Sequence, residues 1–234
     1  MREVIFDTET TGLDPKTGDR MVEIGCVEMI GRVETGQTFH AYYNPERDMP
    51  SAAEAVHGLS SAFLSGKPLF ANTADELLEF LGDAPLVAHN AGFDFGFLNA
   101  ELGRIGRDAI SMDRMVDTVA IARKKHPGAK LSLDALCTRY GIDRSHRVKH
   151  GALLDAELLA QVYVELNGGR QIGLELAAEQ TGQSEVGKAA GFDRKSAEPS
   201  NVVRREPRSH TASEEELARH AEFVAGIKEA IWTR

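Results

Sequence analysis

Cysteine, tryptophan and long apolar runs are scarce in this chain, and each scarcity excludes something. Two cysteines, Cys26 and Cys137, in 234 residues cannot build a disulfide framework or a multi-cysteine zinc site. Both are embedded in apolar patterns that suit small buried thiols. No apolar run approaches the roughly 20 residues needed to span a bilayer, so no membrane segment is expected. Residues 1–6 read as a strand, without the basic flank and apolar stretch of an export signal, and a cytoplasmic location is expected. Positive charge is also short: 27 Lys and Arg stand against 36 Asp and Glu, a formal net charge of −9. Proteins that grip nucleic acid electrostatically are usually basic over the binding face. If this chain handles a phosphate backbone, it must neutralise it locally, most simply with divalent cations held by clustered carboxylates.

What is present is a 42% hydrophobic, 27% charged composition, ordinary for a globular protein. The length suits one sizeable domain with a remainder. Residues 4–6, 21–30 and 37–43 read as three strands separated by Gly and Asp turn signals, predicting an antiparallel meander. From about Thr73 the apolar period becomes helical through Leu77, Leu78 and Leu81. A short buried strand is expected at 86–88, and helices at 93–105, 118–125, 132–140 and 152–166. Strands followed by alternating β and α elements predict an α/β fold, a mixed sheet flanked by helices. After Gly168-Gly169 the composition shifts, and 179–200 has almost no large apolar residue, the mark of a flexible C-terminal tail. Beyond it, Ser213 and Glu216 form a capping-box signature ahead of Leu217, Ala221, Val224, Ile227 and Ile231, spaced along one helical face. Such a helix either docks on a partner or folds back on its own domain.

Four acids and one histidine carry the chemistry. Asp7 and Glu9, two residues apart on a strand, project from one face of the sheet. Two like charges side by side are unfavourable without a cation between them, unless they are simply solvated acids feeding a turn. Asp94 opens a helix in register with Phe97, Leu98, Glu101, Leu102 and Ile105, at the edge of the inward stripe; it is either a helix-dipole acid or a ligand in need of a partner. Asp155 aligns with Leu159, Val162 and Leu166 and points inward. A buried unpaired carboxylate costs several kcal/mol, roughly, so a raised pKa, a salt bridge or a metal is required. His150 falls on the preceding loop, where it could stand over a metal centre. Together the four acids would form an all-oxygen site suited to Mg²⁺ or Mn²⁺, with His150 as a base near neutral pH.

These residues resemble a known pattern. Phe6-Asp7-Thr8-Glu9-Thr10-Thr11-Gly12-Leu13 looks like the first motif of the DnaQ-like exonucleases, His89-Asn90-Ala91-Gly92-Phe93-Asp94 like the second, and His150-Gly151-Ala152-Leu153-Leu154-Asp155 like the third in its histidine form. The resemblance implies an RNase-H-like fold over residues 1–170 and 3′→5′ exonuclease activity releasing nucleoside 5′-monophosphates. It implies Asp7, Glu9, Asp94 and Asp155 as ligands of two divalent cations, with Asp7, Glu9 and Asp155 also meeting substrate, and His150 as the catalytic base. Within the family, the proofreading subunits of bacterial replicative DNA polymerases are the most similar. Residues 56–59 resemble their substrate loop, so His57 is expected at the terminal nucleotide, and 131–137 resemble the helix ahead of the third motif. Asp117 falls where the family keeps an aspartate, and is read as a helix cap. Residues 171–176 resemble a sliding-clamp-binding peptide anchored by Gln171, Leu174 and Leu176, followed by a linker at 177–212. Residues 213–234 are then the candidate contact to the polymerase catalytic subunit, with Leu217, Val224, Ile227, Ile231 and Trp232 as anchors. Two alternatives remain: an RNA 3′-end-processing exonuclease with the same site, or mainly a scaffold between clamp and polymerase.

Overall fold

Hydrophobic alternation along the first strand sets the layers of the domain. The structure, a computed structural model, describes residues 1–147, 149–169 and 212–226, and the chain divides into two units, Met1–Ala178 and Glu179–Arg234. In the first unit β1 (Arg2–Thr10), β2 (Met21–Ile30) and β3 (Val33–Tyr42) form the expected meander. β2 and β3 are joined by the two-residue turn Gly31-Arg32, with φ of 59° and 69° and Ile30 paired to Val33. Positive φ at both positions matches the right-handed twist of a hairpin. Two short helices, α1 (Ser51–His57) and α2 (Ser61–Leu64), precede α3 (Phe70–Leu81). There follow β4 (Leu86–Ala88), α4 (Gly92–Arg104), β5 (Met115–Asp117), α5 (Thr118–Lys125), α6 (Leu133–Tyr140) and α7 (Ala152–Leu166). The sheet runs β3-β2-β1-β4-β5, with β4 parallel to β1 and β5 parallel to β4.

Alternate residues of β1 serve opposite faces. Val4 and Phe6 enter a core built with α3 and α4, whereas Ile5 joins Val27, Val87 and the buried face of α7. Asp7 and Glu9 share the parity of Ile5, so they point to the α7 side. α7 is sandwiched, since Leu158, Val162 and Leu166 pack on α5 and α6 while Ala156, Leu159 and Ala160 pack on the sheet. Each fully buried Val, Ile or Phe contributes roughly 1.5–3 kcal/mol, which is how β1 can also carry carboxylates out of water.

The sequence reading missed α1, α2 and β5. α1 has too few large side chains to show a period, and the other two are a single turn and three residues long. The first strand runs on past Phe6, so Asp7 and Glu9 lie within β1 and not beyond its end. His57 is the last residue of α1 and not a loop residue. Both cysteines are buried and unpaired. Among the described residues no helix is long and apolar enough to cross a membrane.

In the second unit α8 (Glu214–Ala225) starts at the predicted capping box. Ser213 Oγ accepts from Glu216 N at 3.2 Å, and Glu216 Oε2 accepts from Ser213 N at 2.8 Å. Leu217 and Phe223 are exposed and Val224 is buried. Gln171, Leu174 and Leu176, nearly all of the 177–212 linker, and Ile227, Ile231 and Trp232 lie outside the described residues.

Candidate active site

The four acids expected to act together meet at one cavity of about 270 Å³, lined by Asp7, Glu9, Asp94 and Asp155 together with His150, Arg147 and others. β1 delivers Asp7 and Glu9, the first turn of α4 delivers Asp94, and the first turn of α7 delivers Asp155. Asp94 is held by its neighbour on β1, because its Oδ1 accepts from Thr8 N at 3.1 Å and from Thr8 Oγ1 at 2.7 Å. Oδ2 is left to face other groups. The approach of α7 depends on Gly25, which pairs with Asp7 across β1 and β2. A Cβ on Gly25 would lie 2.2 Å from Leu153 N and 2.3 Å from Leu153 Cα. Only the bare glycine backbone lets the start of α7 rest on the sheet beside Asp7.

Crowding acids in a dry place penalises their ionised forms. Asp7 is raised well above the usual aspartate range, first by burial and then by Asp94, Glu9 and Asp155. Burial, Asp155 and Glu23 raise Glu9 to about 8. Burial raises Asp94 to about 7 even though the Thr8 bonds act against it. Glu23, the cross-strand partner of Glu9, is itself buried and held by His40 Nε2 at 2.7 Å.

One cation stands among these charges. Arg147, whose side chain is only 8% exposed, sends Nε and Nη2 to the two oxygens of Asp155 at 2.5 and 2.7 Å. Its Nη1 reaches Asp134 Oδ1 at 2.7 Å. The salt-bridge partner that an inward Asp155 required is therefore Arg147. His150 is 47% exposed at the cavity mouth, with Nδ1 3.3 Å from Asp155 Oδ2 and 2.8 Å from Arg147 Nη2. Its backbone N donates to Val56 O at 3.4 Å, joining this loop to the end of α1.

His57 does not line the cavity. It is buried, and its Nδ1 accepts from Leu59 N at 3.0 Å. Burial lowers its pKa, so the ring is neutral with its proton on Nε2. Asp117 caps α5 through Val119 N at 3.0 Å and also accepts from Asn90 N at 3.1 Å. That is the structural role expected of it.

The donor set fits divalent metal. Glu9, His150 and Asp155 each offer a ligand atom within 4.8 Å of the others, and Asp7 and Asp94 add oxygens to the same cavity. Thr8, Gly25, Asp134 and Arg147 were missed in the sequence. A glycine inside a strand signals close backbone approach and could have marked Gly25. Arg147 sits in the run Arg144–Lys149, which reads locally as a solvated basic stretch.

The raised acids make a pH prediction. Glu9 and Asp94 have ordinary values of 4.5 and 3.8 and folded values of about 8 and 7. Between those limits the folded protein binds more protons than the unfolded chain, so the contribution to stability is complete below about pH 4 and lost as pH rises through 7 to 8. Metal held by the ionised acids opposes the loss. In EDTA, Tm should fall between about pH 6 and about pH 8.5, and the gain in Tm on adding Mn²⁺ should be larger at the higher pH. A metal-free Tm that climbs over that interval contradicts this assignment.

A family model described as Exonuclease (RNase_T) matches residues 4–163. A DNA polymerase III subunit epsilon from Rickettsia felis is 46% identical over 230 residues, 97% of each chain. The protein of that name from Salmonella typhimurium is 43% identical over 228 residues, 94% of this chain and 90% of its own. The one from Escherichia coli K12 is 44% identical over 195 residues, 80% of each. Among solved structures, exonuclease X in complex with 5′ overhanging duplex DNA is 25% identical with a TM-score of 0.55, covering 70% of this chain and 89% of its own. The nuclease domain of 3′hExo, a DEDDh family member bound to rAMP, shares the fold with a TM-score of 0.62 at 18% identity, over 72% and 94% of the two chains. Matched by that family model over residues 4–163 and by epsilon subunits along most of its length, this chain belongs to the exonuclease family, in the branch that contains the DNA polymerase III epsilon subunits.

Proposed function

We propose that this protein is the 3′→5′ proofreading exonuclease of a replicative DNA polymerase, hydrolysing DNA 3′ ends to nucleoside 5′-monophosphates. The observation that carries the reading is the convergence of Asp7, Glu9, Asp94 and Asp155 on one cavity with His150 at its mouth. The four acids would hold two divalent cations, Mg²⁺ or Mn²⁺, because an all-oxygen set suits hard ions. Bound there, the cations would lower the pKa of an attacking water and stabilise the leaving oxygen of the phosphodiester. Asp7, Glu9 and Asp155 also border the place of the scissile phosphate. His150 takes the proton of the water at Nε2 in the tautomer whose Nδ1–H donates to Asp155 Oδ2. His57, the last residue of α1, is assigned to the terminal nucleotide.

The preference for frayed ends follows from the cost of unpairing a terminus, since single strands are gripped by backbone and stacking and not by base readout. Residues 171–176, through Gln171, Leu174 and Leu176, are assigned to the sliding clamp, and residues 213–234 to the polymerase catalytic subunit. The intervening chain would keep the nuclease at high local concentration near the primer end. A cytoplasmic location suits two unpaired thiols.

The test is degradation of 3′-labelled single-stranded DNA and its RNA counterpart with Mg²⁺ or Mn²⁺, using the whole chain and a version ending at residue 170. Metal-dependent release of deoxynucleoside monophosphates by both, with polymerase and clamp binding only by the whole chain, is the expected result. Preference for RNA would replace this reading with RNA 3′-end processing. Absence of activity on either strand would leave a scaffold.

A further inference from the structure

Arg147 holds Asp155 in a way that metal ligation by that acid cannot tolerate unchanged. Both oxygens of Asp155 are taken by one guanidinium, a group that stays charged at any working pH and can leave only by moving. A divalent cation ligated by Asp155 would therefore face a fixed positive charge at hydrogen-bonding distance from its own ligand.

The surroundings provide somewhere for the arginine to go. Nη1 already rests on Asp134 Oδ1 at 2.7 Å, an oxygen that Arg144 Nη1 also reaches at 2.8 Å, and Asp134 sits half exposed in the first turn of α6. A second cavity of about 340 Å³, lined by Asp134, Arg144, Arg147, Lys149 and His150, adjoins the first and shares Asp134, Arg147 and His150 with it. The guanidinium can swing into that space without losing its last carboxylate partner.

We propose that Arg147 is an exchangeable cation of the active site: it competes with divalent metal for Asp155, and Asp134 keeps it when the metal takes its place. The proposal rests on the reading of Asp155 as a metal ligand. It makes Arg147 a positioning residue, acting through Asp155 and His150. Arginine only donates hydrogen bonds, so its contact with His150 Nδ1 at 2.8 Å requires Nδ1 to accept and puts the neutral ring's proton on Nε2. In that state the base is disarmed. Departure of Arg147 leaves Nδ1 free to carry the proton toward Asp155 Oδ2, 3.3 Å away, and opens Nε2 as the acceptor. Loading of metal and arming of the base thus become one event.

The experiment measures Mn²⁺ affinity of the whole chain by calorimetry, without substrate, for wild type, Arg147→Met, Asp134→Asn and Asp155→Asn. If Arg147 leaves the competent state about one-tenth populated, removing it tightens Mn²⁺ binding about tenfold. Asp134→Asn removes the retaining carboxylate and should weaken Mn²⁺ binding, so the two variants shift affinity in opposite directions, whereas loss of structure would weaken it in both. Unchanged or weaker binding in Arg147→Met overturns the exchange, as does unchanged or tighter binding in Asp134→Asn, which decides the matter if Arg147→Met does not fold. Wild-type Mn²⁺ affinity in Asp155→Asn would instead defeat the assignment of the site itself.

Discussion

Replacing Asp7 by Asn should lower kcat about 10³-fold or more while raising the melting temperature of the metal-free protein. If Asp7 holds metal as proposed, its loss removes several kcal/mol of transition-state charge stabilisation, and each 1.36 kcal/mol is roughly a decade in rate. The side chain keeps its shape, so the cavity should not collapse. Asp7 is buried among Asp94, Glu9 and Asp155, and each of these makes its ionisation less favourable. A neutral amide ends that repulsion, and about 1 kcal/mol of relief would shift Tm by about 2–4 °C in a protein of this size. The gain should be largest at alkaline pH, where the acid is otherwise forced to ionise. Single-turnover cleavage and thermal melts in EDTA measure the two effects. Activity within tenfold of wild type, or a lower Tm at alkaline pH, would show that Asp7 is not one of the strained ligands. The stability gained by deleting function is the usual sign of an active site held against its own electrostatics.

Gly25→Ala should be nearly as damaging to activity, without touching any acid. The added methyl meets the backbone of Leu153 at 2.2–2.3 Å, and no flexible side chain is there to yield. The start of α7 must lift, carrying Asp155 with it. A displacement of about 1 Å at a reacting group can cost about 10²-fold in rate, and overpacking of this kind costs about 1–3 kcal/mol in stability. Both a fall in kcat near that size and a lower Tm are expected, along with weaker Mn²⁺ binding. Full activity in Gly25→Ala would mean that the contact between β2 and α7 does not set the position of Asp155.

Much of the site was legible because its residues obey local periods. The two-residue spacing of Asp7 and Glu9 put both on one face of β1, and the i, i+4, i+7 register of Asp155 with Leu159 and Val162 turned it inward. The same reasoning found the capping box of α8 from Ser213 and Glu216. The strand predicted at 21–30 and the helices predicted at 118–125 and 152–166 coincide with β2, α5 and α7. Elements too short to show a period, α2 and β5, were not visible.

The sequence by itself determined that Asp7 and Glu9 share a face, that Asp155 turns inward and what kind of ion such a group would suit, since side-chain direction follows from backbone geometry a few residues at a time. Only the tertiary structure decided which acids meet and what else stands among them. Asp94 is tied to Thr8 across 86 residues, and Asp155 lies beside Asp7 because the sheet order β3-β2-β1-β4-β5 and the bare backbone of Gly25 bring α7 onto β1. In the sequence Arg147 is one more charge in the basic run at 144–149. It became the cation of the site because Asp155 and Asp134, on two different helices, converge on it, and no local period encodes that convergence.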